Sequence, residues 1–369
     1  MNEAGEIEAV SIPFTLGIAT VTYFIGHISF AEEIVAAGAA LFVCSAAMAA
    51  TLRHKCTFGL IAVLYFCIGA FCRLSHGLCV EAGSFGALHR AAGVCLEALR
   101  GRIESLPFYH TSTNALVCAL LTGDRSGLTA AQTEAFRAAG ASHILALSGL
   151  HLGVIYLIAG KLLSIFGNNR TTCRIRSAAI VICSGFYTMM TGAGPSIVRA
   201  FIFIVLNEAG KLSPERSRTP ARTLLVALTV QLASDPSVIS SLGFQLSYLA
   251  MTGLMLLNPC LESWYPEGGR LSKLDPMRRI WKTAATAISC QCFTAPLVWM
   301  RFHTFPEYFI LTNMLALPLT TAIMATSVIT VCLDWAGMES GLAAKAADIL
   351  VQMLLAVLER ISGLPSLLG

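Results

Sequence analysis

Charge is scarce in this sequence. Asp, Glu, Lys and Arg together make up 12% of its 369 residues, whereas roughly a quarter of the residues in a soluble domain are charged. Hydrophobic residues make up 56% of the chain. This composition argues against a soluble domain and indicates a polytopic membrane protein.

Motifs for nucleotide hydrolysis and metal binding are also lacking. No G-x-x-x-x-G-K-[ST] phosphate loop is present, so we do not expect the chain to hydrolyse ATP. The thirteen cysteines contain no C-x-x-C pair and no Cys/His ligand spacing. We therefore predict no metal, no cofactor and no enzymatic activity. A disulfide between Cys72 and Cys79 is left open, because sequence does not show their geometry.

Carboxylates are rare inside the apolar segments. Asp334 is expected at a helix end, and Asp348 falls in an amphipathic last segment. Proton- or sodium-coupled transporters usually carry a carboxylate near the centre of the bilayer. Its expected absence disfavours that class of protein.

Long apolar runs predict an all-α fold, a polytopic transmembrane helical bundle. A helix needs about 20 apolar residues to cross roughly 30 Å of hydrocarbon. By this measure we predict about eleven spans, and the first is a retained span rather than a signal peptide. The segment 308–334 is also long enough for two half-length pieces. The predicted spans are 7–28, 34–52, 58–72, 142–166, 177–191, 197–209, 222–233, 242–257, 284–300, 308–334 and 342–358.

Basic residues alternate between the connections of these predicted spans. The connections 31–33, 192–195, 234–236 and 302–306 carry almost no positive charge. Because cytoplasmic connections are enriched in Lys and Arg, we expect a cytoplasmic N-terminus and an external segment at 73–141. The basic residues are Arg53, Lys55, Arg170, Arg174, Arg176, Lys211, Arg216, Arg218, Arg222, Arg270, Lys273, Arg278, Arg279 and Lys282.

The external segment is expected to form short helices rather than a full domain. Residues 83–105 place Leu88, Ala92, Cys95, Leu96, Leu99 and Ile103 on one helical face, which predicts a helix lying on the membrane or packed on the bundle. A short helix at 113–121 and a turn at 123–127 follow. Thr129 and Gln132 then fit a capping box, and Gly140 fits a C-terminal cap.

Several polar residues fall within or beside the predicted spans. Ser241, Gln245, Tyr248 and Thr252 recur at helical spacing, which fits either hydrogen bonds between helices or a hydrated pathway. Arg199 lies four residues after Pro195. It would either extend to the lipid headgroups or offer its donors to an anion such as phosphate.

Ser148 and His151 are three residues apart, so they are expected to share a helical face. With Asp124 or His143 they could form a hydrolytic site, but no G-x-S-x-G motif is present, and a hydrogen-bonded packing pair is the more common arrangement. Gly149 and Gly153 would either allow close approach of another backbone or break the helix.

Several sequence blocks together resemble the ComEC competence-protein family. They are LTGDRSGL at 121–128, Phe136-Arg137, SHILALSGLH at 142–151, PSIVRA at 195–200, Asp235-Pro236, GFQLSYLA at 243–250, Pro296-Leu297, Asn313 and Pro318. The resemblance covers about 116–333. It implies an inner-membrane channel for DNA uptake in natural transformation.

The chain also departs from the pattern of many family members. Those members carry an external oligonucleotide-binding-type domain and a metallo-β-lactamase-like nuclease domain. About 40 external residues precede Leu116, too few for a five-stranded barrel, and no His/Asp metal cluster is present. We therefore expect a bare channel core: N-terminal transmembrane helices at 1–72, an external helical linker at 73–115, a competence-type channel domain at 116–335 and a C-terminal helix at 336–369.

The sequence thus predicts a multi-pass protein of the bacterial inner membrane that passes single-stranded DNA. Its expected partners are single-stranded DNA, membrane lipid, a separate ATP-driven motor, a nuclease and an external DNA-binding protein; a homo-oligomer is left open. The alternatives are a transporter or flippase for another anionic substrate, lipid-linked or nucleotide-like, and a binding scaffold. The expected pathway or gate residues are Asp124, Arg125, Arg137, Ser142, His143, Ser148, Gly149, His151, Arg199, Gln245 and Ser247.

Overall fold

The computed structural model describes residues 3–25, 30–53, 58–79, 86–167, 169–212, 219–265, 276–303 and 306–365. Within these residues the chain is helical and contains no strand. The helices are α1 (Glu3–Phe24), α2 (Phe30–Arg53), α3 (Phe58–Cys79), α4 (Gly86–Ser105), α5 (Thr111–Thr122), α6 (Ala130–Ala138), α7 (Ser142–Leu145), α8 (Gly149–Leu163), α9 (Arg170–Met190), α10 (Pro195–Leu212), α11 (Pro220–Ser234), α12 (Leu242–Leu256), α13 (Asn258–Ser263), α14 (Pro276–Phe302), α15 (Phe309–Trp335) and α16 (Gly341–Ser362).

The described helices confirm an all-helical membrane protein. Among the described residues five segments are long and apolar enough to cross a bilayer. About eleven spans were expected, so that count is not confirmed. Residues 308–334 form the single helix α15, with Pro318 inside it, rather than two half-length pieces. The five segments are Ile7–Phe24, Gly59–His76, Leu242–Ser263, Phe309–Trp335 and Gly341–Ser362.

One compact unit contains residues 1–86 and 205–245. In it α1 and α3 pack backbone against backbone. A Cβ added at Gly17 would lie 2.9 Å from the Ala70 nitrogen, and one at Gly69 would lie 2.9 Å from the Phe14 carbonyl carbon. Small residues allow such close approach between apolar helices. The Thr229 hydroxyl also donates to Ser11 Oγ at 2.8 Å, which joins α11 to α1.

The other compact unit contains residues 87–204 and 246–369. Its larger apolar core joins α4, α5, α6, α7, α8, α15 and α16, and Phe136, Leu116 and Leu354 are fully buried in it. A smaller cluster joins α8, α9 and α10 around Leu152 and Ile197. The expectation that the amphipathic helix packs on the bundle is confirmed, because Ile103 of α4 is buried in the larger core.

The structure tests some of the sequence expectations about cysteines and basic residues. Other expectations concern residues outside the part of the chain that the structure describes. Cys72 carries a free thiol, and Cys95 on the apolar face of α4 is exposed. The residues that lie outside the described main chain or side chains are Arg53, Lys55, Cys79, Leu88, Arg216, Arg218, Arg270 and Lys273.

Residues 142–166 are not one continuous span, which corrects the prediction. The short helix α7 ends at Leu145, and Ala146 and Ser148 have extended backbone before α8 begins at Gly149. The break follows from local chemistry, because Ser148 is a strong N-cap residue and its side chain competes with helix continuation. The break places the first turn of α8 among polar residues.

Candidate functional site

The turn after α5 is held by its own polar side chains. Gly123 adopts the left-handed conformation with φ of 83°, and its N–H closes α5 by donating to the Ala119 carbonyl at 3.0 Å. The Asp124 carboxylate accepts from the Ser126 N–H at 3.0 Å. Asp124 therefore caps this turn. Its cationic partner is Arg100, whose Nε lies 3.5 Å from Asp124 Oδ2, rather than Arg125.

Hydrogen bonds from Ser126 hold the pKa of the Asp124 carboxyl below its usual value. The bond from the Ser126 backbone N–H has the largest effect, and the bond from its side chain has the next largest. Arg100 acts in the same direction. A carboxylate with a lowered pKa in the folded state stabilises the fold at neutral pH, and this contribution is lost as the pH falls through the lowered pKa. The Asp124 carboxylate is thus ionised at neutral pH, and its hydrogen bond with Ser126 holds the turn.

Arg125 fixes the same turn to the helix that follows. Its Nε donates to the Leu145 carbonyl at 3.0 Å, at the C-terminal end of α7. The Tyr187 hydroxyl donates to the Leu121 carbonyl at 2.7 Å from α9. Both donors satisfy carbonyls at helix ends, where intrahelical partners are missing. Neither Arg125 nor Tyr187 was expected in this capping role.

Helix α6 has the predicted ends. Thr129 and Gln132 form the capping box, and Gly140 has φ of 74° just after the helix. The Thr312 hydroxyl of α15 donates to the Ala139 carbonyl at 2.8 Å. The capping prediction from sequence is confirmed here.

Three of the predicted pathway residues lie on the exposed side of α6 and α7. Arg137 pairs at 3.7 Å with Glu134 on the same helix. Ser142 and His143 begin α7 and are exposed, and His143 Nδ1 lies 3.2 Å from the Gly140 carbonyl. Their use by a substrate stays a prediction.

Ser148 and His151 meet at the N-terminus of α8. Ser148 is the N-cap rather than a helical residue, which corrects the expected shared face. Its Oγ accepts from the Leu150 N–H at 3.2 Å, and its own N–H donates to His151 Nδ1 at 3.1 Å. The Ser148 Oγ lies 2.9 Å from the same nitrogen. The pair therefore forms a capping box in which histidine takes the usual place of Glu or Gln.

Arg199 lies beside this helix end. It falls in the first turns of α10, as the sequence predicted, but its side chain is only 9% exposed. Its guanidinium carbon lies 5.7 Å from the centroid of the Tyr248 ring, a cation–π distance. A Cβ added at Gly149 would lie 3.6 Å from Arg199 Nη2. The structure thus brings Arg199 close to Gly149, the first residue of the helix that Ser148 and His151 cap.

The polar stripe on α12 is largely satisfied by local hydrogen bonds. Ser241 precedes the helix and accepts from the Phe244 N–H at 3.3 Å, so it was wrongly placed on the helical face. Gln245 Nε2 donates back to the Ile239 carbonyl at 2.9 Å, and the Thr252 hydroxyl donates to the Tyr248 carbonyl at 2.9 Å. Ser247 is half-buried on α12. The pathway roles of Gln245 and Ser247 stay predictions.

The burial of Asp348 in the last helix was not expected from the sequence. Asp348 of α16 is 6% exposed, and it lies inside a described segment long and apolar enough to span a membrane. It accepts from the Thr113 hydroxyl at 2.6 Å, from the His110 N–H at 3.2 Å and lies 2.8 Å from His110 Nδ1. Asp348 thereby caps the N-terminus of α5 from a distant part of the chain.

Metal ligands are not clustered in the part of the chain that the structure describes. No group of three or more His, Cys, Asp or Glu side chains there could hold an ion.

Comparison with known proteins places these residues within one family. The family model described as "Competence protein" matches residues 120–367, a range that includes the break, Arg199 and α16. No solved structure matches the chain.

Two curated relatives are similar to part of the chain. ComE operon protein 3 of Bacillus subtilis (strain 168) is 29% identical over 209 residues, which cover 57% of this chain and 25% of the relative. Uncharacterized protein YcaI of Escherichia coli (strain K12) is 26% identical over 236 residues, which cover 62% of this chain and 29% of the relative. The chain thus spans between a quarter and a third of the length of these relatives. Because the family model matches well over half of the sequence, the chain belongs to the Competence protein family.

Proposed function

We propose that this chain acts in DNA uptake, as a component of an inner-membrane conduit that passes single-stranded DNA into the cytoplasm during natural transformation. The observation that carries this proposal is the polar segment 123–151, which lies within the family match and ends in a broken helix beside Arg199. Polar backbone at such a break is tolerated in membranes where it lies against protein or a hydrated cavity.

The chemistry of a single strand fits this arrangement. Each nucleotide carries one negative phosphate and a base that can stack, so a conduit needs a few cationic or donor groups and a wide hydrated path. Arg125, Arg137, His143, His151 and Arg199 supply such groups. Asp124, Ser142, Ser148, Gly149, Gln245 and Ser247 complete the proposed pathway or gate. A small number of cations suits transport, because tight binding would stall the strand.

The proposal includes an orientation and partners. The N-terminus lies in the cytoplasm and residues 73–141 lie outside, because of the alternating basic connections. An ATP-driven motor acts with the chain, as the resemblance to the competence family implies. We further propose a nuclease and an external DNA-binding protein as partners, and association of copies of the chain.

The test is entry of labelled DNA in the source bacterium after deletion of the gene, with external, periplasmic and cytoplasmic DNA scored separately. We expect loss of cytoplasmic strand while outer uptake continues, and recovery when the gene is supplied again. Unchanged cytoplasmic entry, with no second copy of the gene, would contradict the proposal. Accumulation of an envelope intermediate would then favour the transporter or flippase alternative.

A further inference from the structure

Arg199 combines deep burial with unpartnered donors. It is 9% exposed, and its Nε and Nη1 are buried without a hydrogen-bond partner. Leaving charged donors unsatisfied in an apolar protein interior costs free energy. Such a group in a folded protein calls for an explanation, and a bound group that supplies acceptors is one.

A second unpartnered donor lies on the first turn of α8. His151 is 1% exposed, and its Nε2 is buried with no hydrogen-bond partner. Because the Ser148 N–H donates to His151 Nδ1, that nitrogen carries no hydrogen, and the hydrogen of the neutral ring lies on Nε2. The unsatisfied atoms of both residues are therefore donors.

The N-terminus of α8 adds a third source of positive potential. A helix N-terminus carries the positive end of the helix dipole, and at α8 the Ser148 Oγ already accepts the Leu150 N–H. Gly149 is the first residue of this fifteen-residue helix, and it is only partly buried. Because Gly149 has no side chain, the Arg199 guanidinium comes close to the helix end: a Cβ added at Gly149 would lie 3.6 Å from Arg199 Nη2.

The unsatisfied atoms of Arg199 and His151 are all donors, so a ligand for them should offer acceptors and negative charge. A phosphodiester has two unbridged oxygens and one charge, and guanidinium groups bind such a pair of oxygens with a matching fork. An arginine that extends to lipid headgroups keeps its charged end in water, whereas the guanidinium of Arg199 is buried under Tyr248. Burial therefore favours a strand threaded among the helices over a lipid headgroup.

We propose that Arg199, the first turn of α8 at Gly149 and His151 Nε2 form a binding site for a phosphodiester of the passing single strand. This inference rests on the proposed function and names the group of the strand that the site contacts. The site holds one backbone phosphate at a time and guides the strand past the helix break.

The test is binding of a short fluorescent oligothymidylate to the purified full chain in detergent, measured by fluorescence anisotropy. A methylphosphonate oligothymidylate of the same length serves as the uncharged probe. The decisive variant is Gly149→Ala, because the added methyl meets Ala200 Cβ at 3.4 Å and Arg199 Nη2 at 3.6 Å, which are ordinary contacts. It fills the proposed site without forcing the backbone to move. Gly153→Ala, one turn along, meets nothing within 4 Å and is the matched control.

We expect Gly149→Ala and Arg199→Gln each to weaken binding of the charged oligothymidylate by about tenfold or more. Gly153→Ala and the exposed control Lys345→Gln should leave it unchanged, and the uncharged probe should bind weakly to every form. Arg199→Gln should unfold at the same temperature as the wild type or higher, because it removes an unsatisfied buried charge.

Equal binding by wild type, Gly149→Ala and Arg199→Gln would overturn the site. If binding were equal in this way but gene deletion abolished DNA entry, the proposed function would stand without this phosphodiester site. Loss of co-purified phosphatidylglycerol in Arg199→Gln, with unchanged oligothymidylate affinity, would show a lipid headgroup site and also overturn the proposal. Arg199-dependent phosphodiester binding together with normal DNA entry after deletion would support the site and contradict the proposed function.

Discussion

At the scale of single residues, Ser148 has a role that needs no reactive hydroxyl. It accepts the Leu150 N–H and contacts His151 Nδ1 at the start of α8. We predict that Ser148→Ala destabilises the protein by about 1 kcal/mol, since a strong N-cap is lost. Ser148→Asn should largely preserve stability, because Asn caps helices as well as Ser does. Thermal unfolding in detergent measures both effects.

The same pair of variants separates capping from hydrolysis. An N-cap role requires Ser148→Asn to support DNA entry near the wild-type level. Loss of entry in Ser148→Asn, with a normal unfolding temperature and normal protein level, would show that the Ser148 hydroxyl is needed for more than capping.

At the scale of helices, Asp348 joins α16 to the start of α5. Its carboxylate accepts from Thr113 and from the His110 N–H. We predict that Asp348→Ala lowers the free energy of unfolding by about 2 kcal/mol or more, because buried donors lose their acceptor. Ile349→Ala, at a half-exposed neighbour, should have a much smaller effect.

A double-mutant cycle with Thr113→Val tests whether the two residues act as a pair. The loss of stability in the double variant should be about 1 kcal/mol smaller than the sum of the losses in the two single variants. Strict additivity would mean that the Thr113–Asp348 hydrogen bond does not contribute to stability.

Helices α1 and α3 depend on the absence of side chains at their contact. In Gly17→Ala the new Cβ would lie 2.9 Å from the Ala70 nitrogen, and backbone atoms cannot rotate away. We predict a loss of about 2 kcal/mol in the free energy of unfolding, measured by denaturation in detergent. Gly38→Ala on α2 meets open space and should be neutral. If both variants behaved alike, the close packing of α1 on α3 would be wrong.

The sequence predicts helices better than it predicts their interruptions. Within the described residues each predicted apolar segment except 142–166 falls on one helix, and the Thr129–Gln132 capping box is where local chemistry places it. Residues 142–166 look continuous because apolarity hardly changes across Ala146 and Leu147. The break at Ser148 depends on a reciprocal contact with His151, which apolar periodicity does not reveal.

At the scale of the whole molecule, the site depends on contacts between distant segments. The sequence singled out Arg199 and Gly149 separately, but their proximity arises because α8, α9 and α10 share an apolar cluster. The carboxylate of Asp348 was identified from sequence as part of an amphipathic helix. Its burial against α5 follows from the packing of α16 in the larger core.

Two exposed cysteines test the proposed orientation. Cys95 lies on α4, within the segment expected outside, and Cys260 lies on α13, on the expected cytoplasmic side. We predict that a membrane-impermeant maleimide labels Cys95 in intact spheroplasts, and that Cys260 is labelled only after permeabilisation. Mass spectrometry identifies the labelled thiols. The reverse pattern would invert the orientation.

The central claim is that a DNA strand passes the N-terminus of α8. The most direct measurement is photocrosslinking during uptake of labelled DNA, with a photoreactive residue at Leu150, which is 37% exposed beside the helix break. The matched position is Ile182, which is 69% exposed on α9. Both variants must first support gene-dependent DNA entry. The account predicts that labelled strand is trapped at 150 and not at 182. Entry that proceeds normally with no strand trapped at 150, or with equal trapping at both positions, would contradict it.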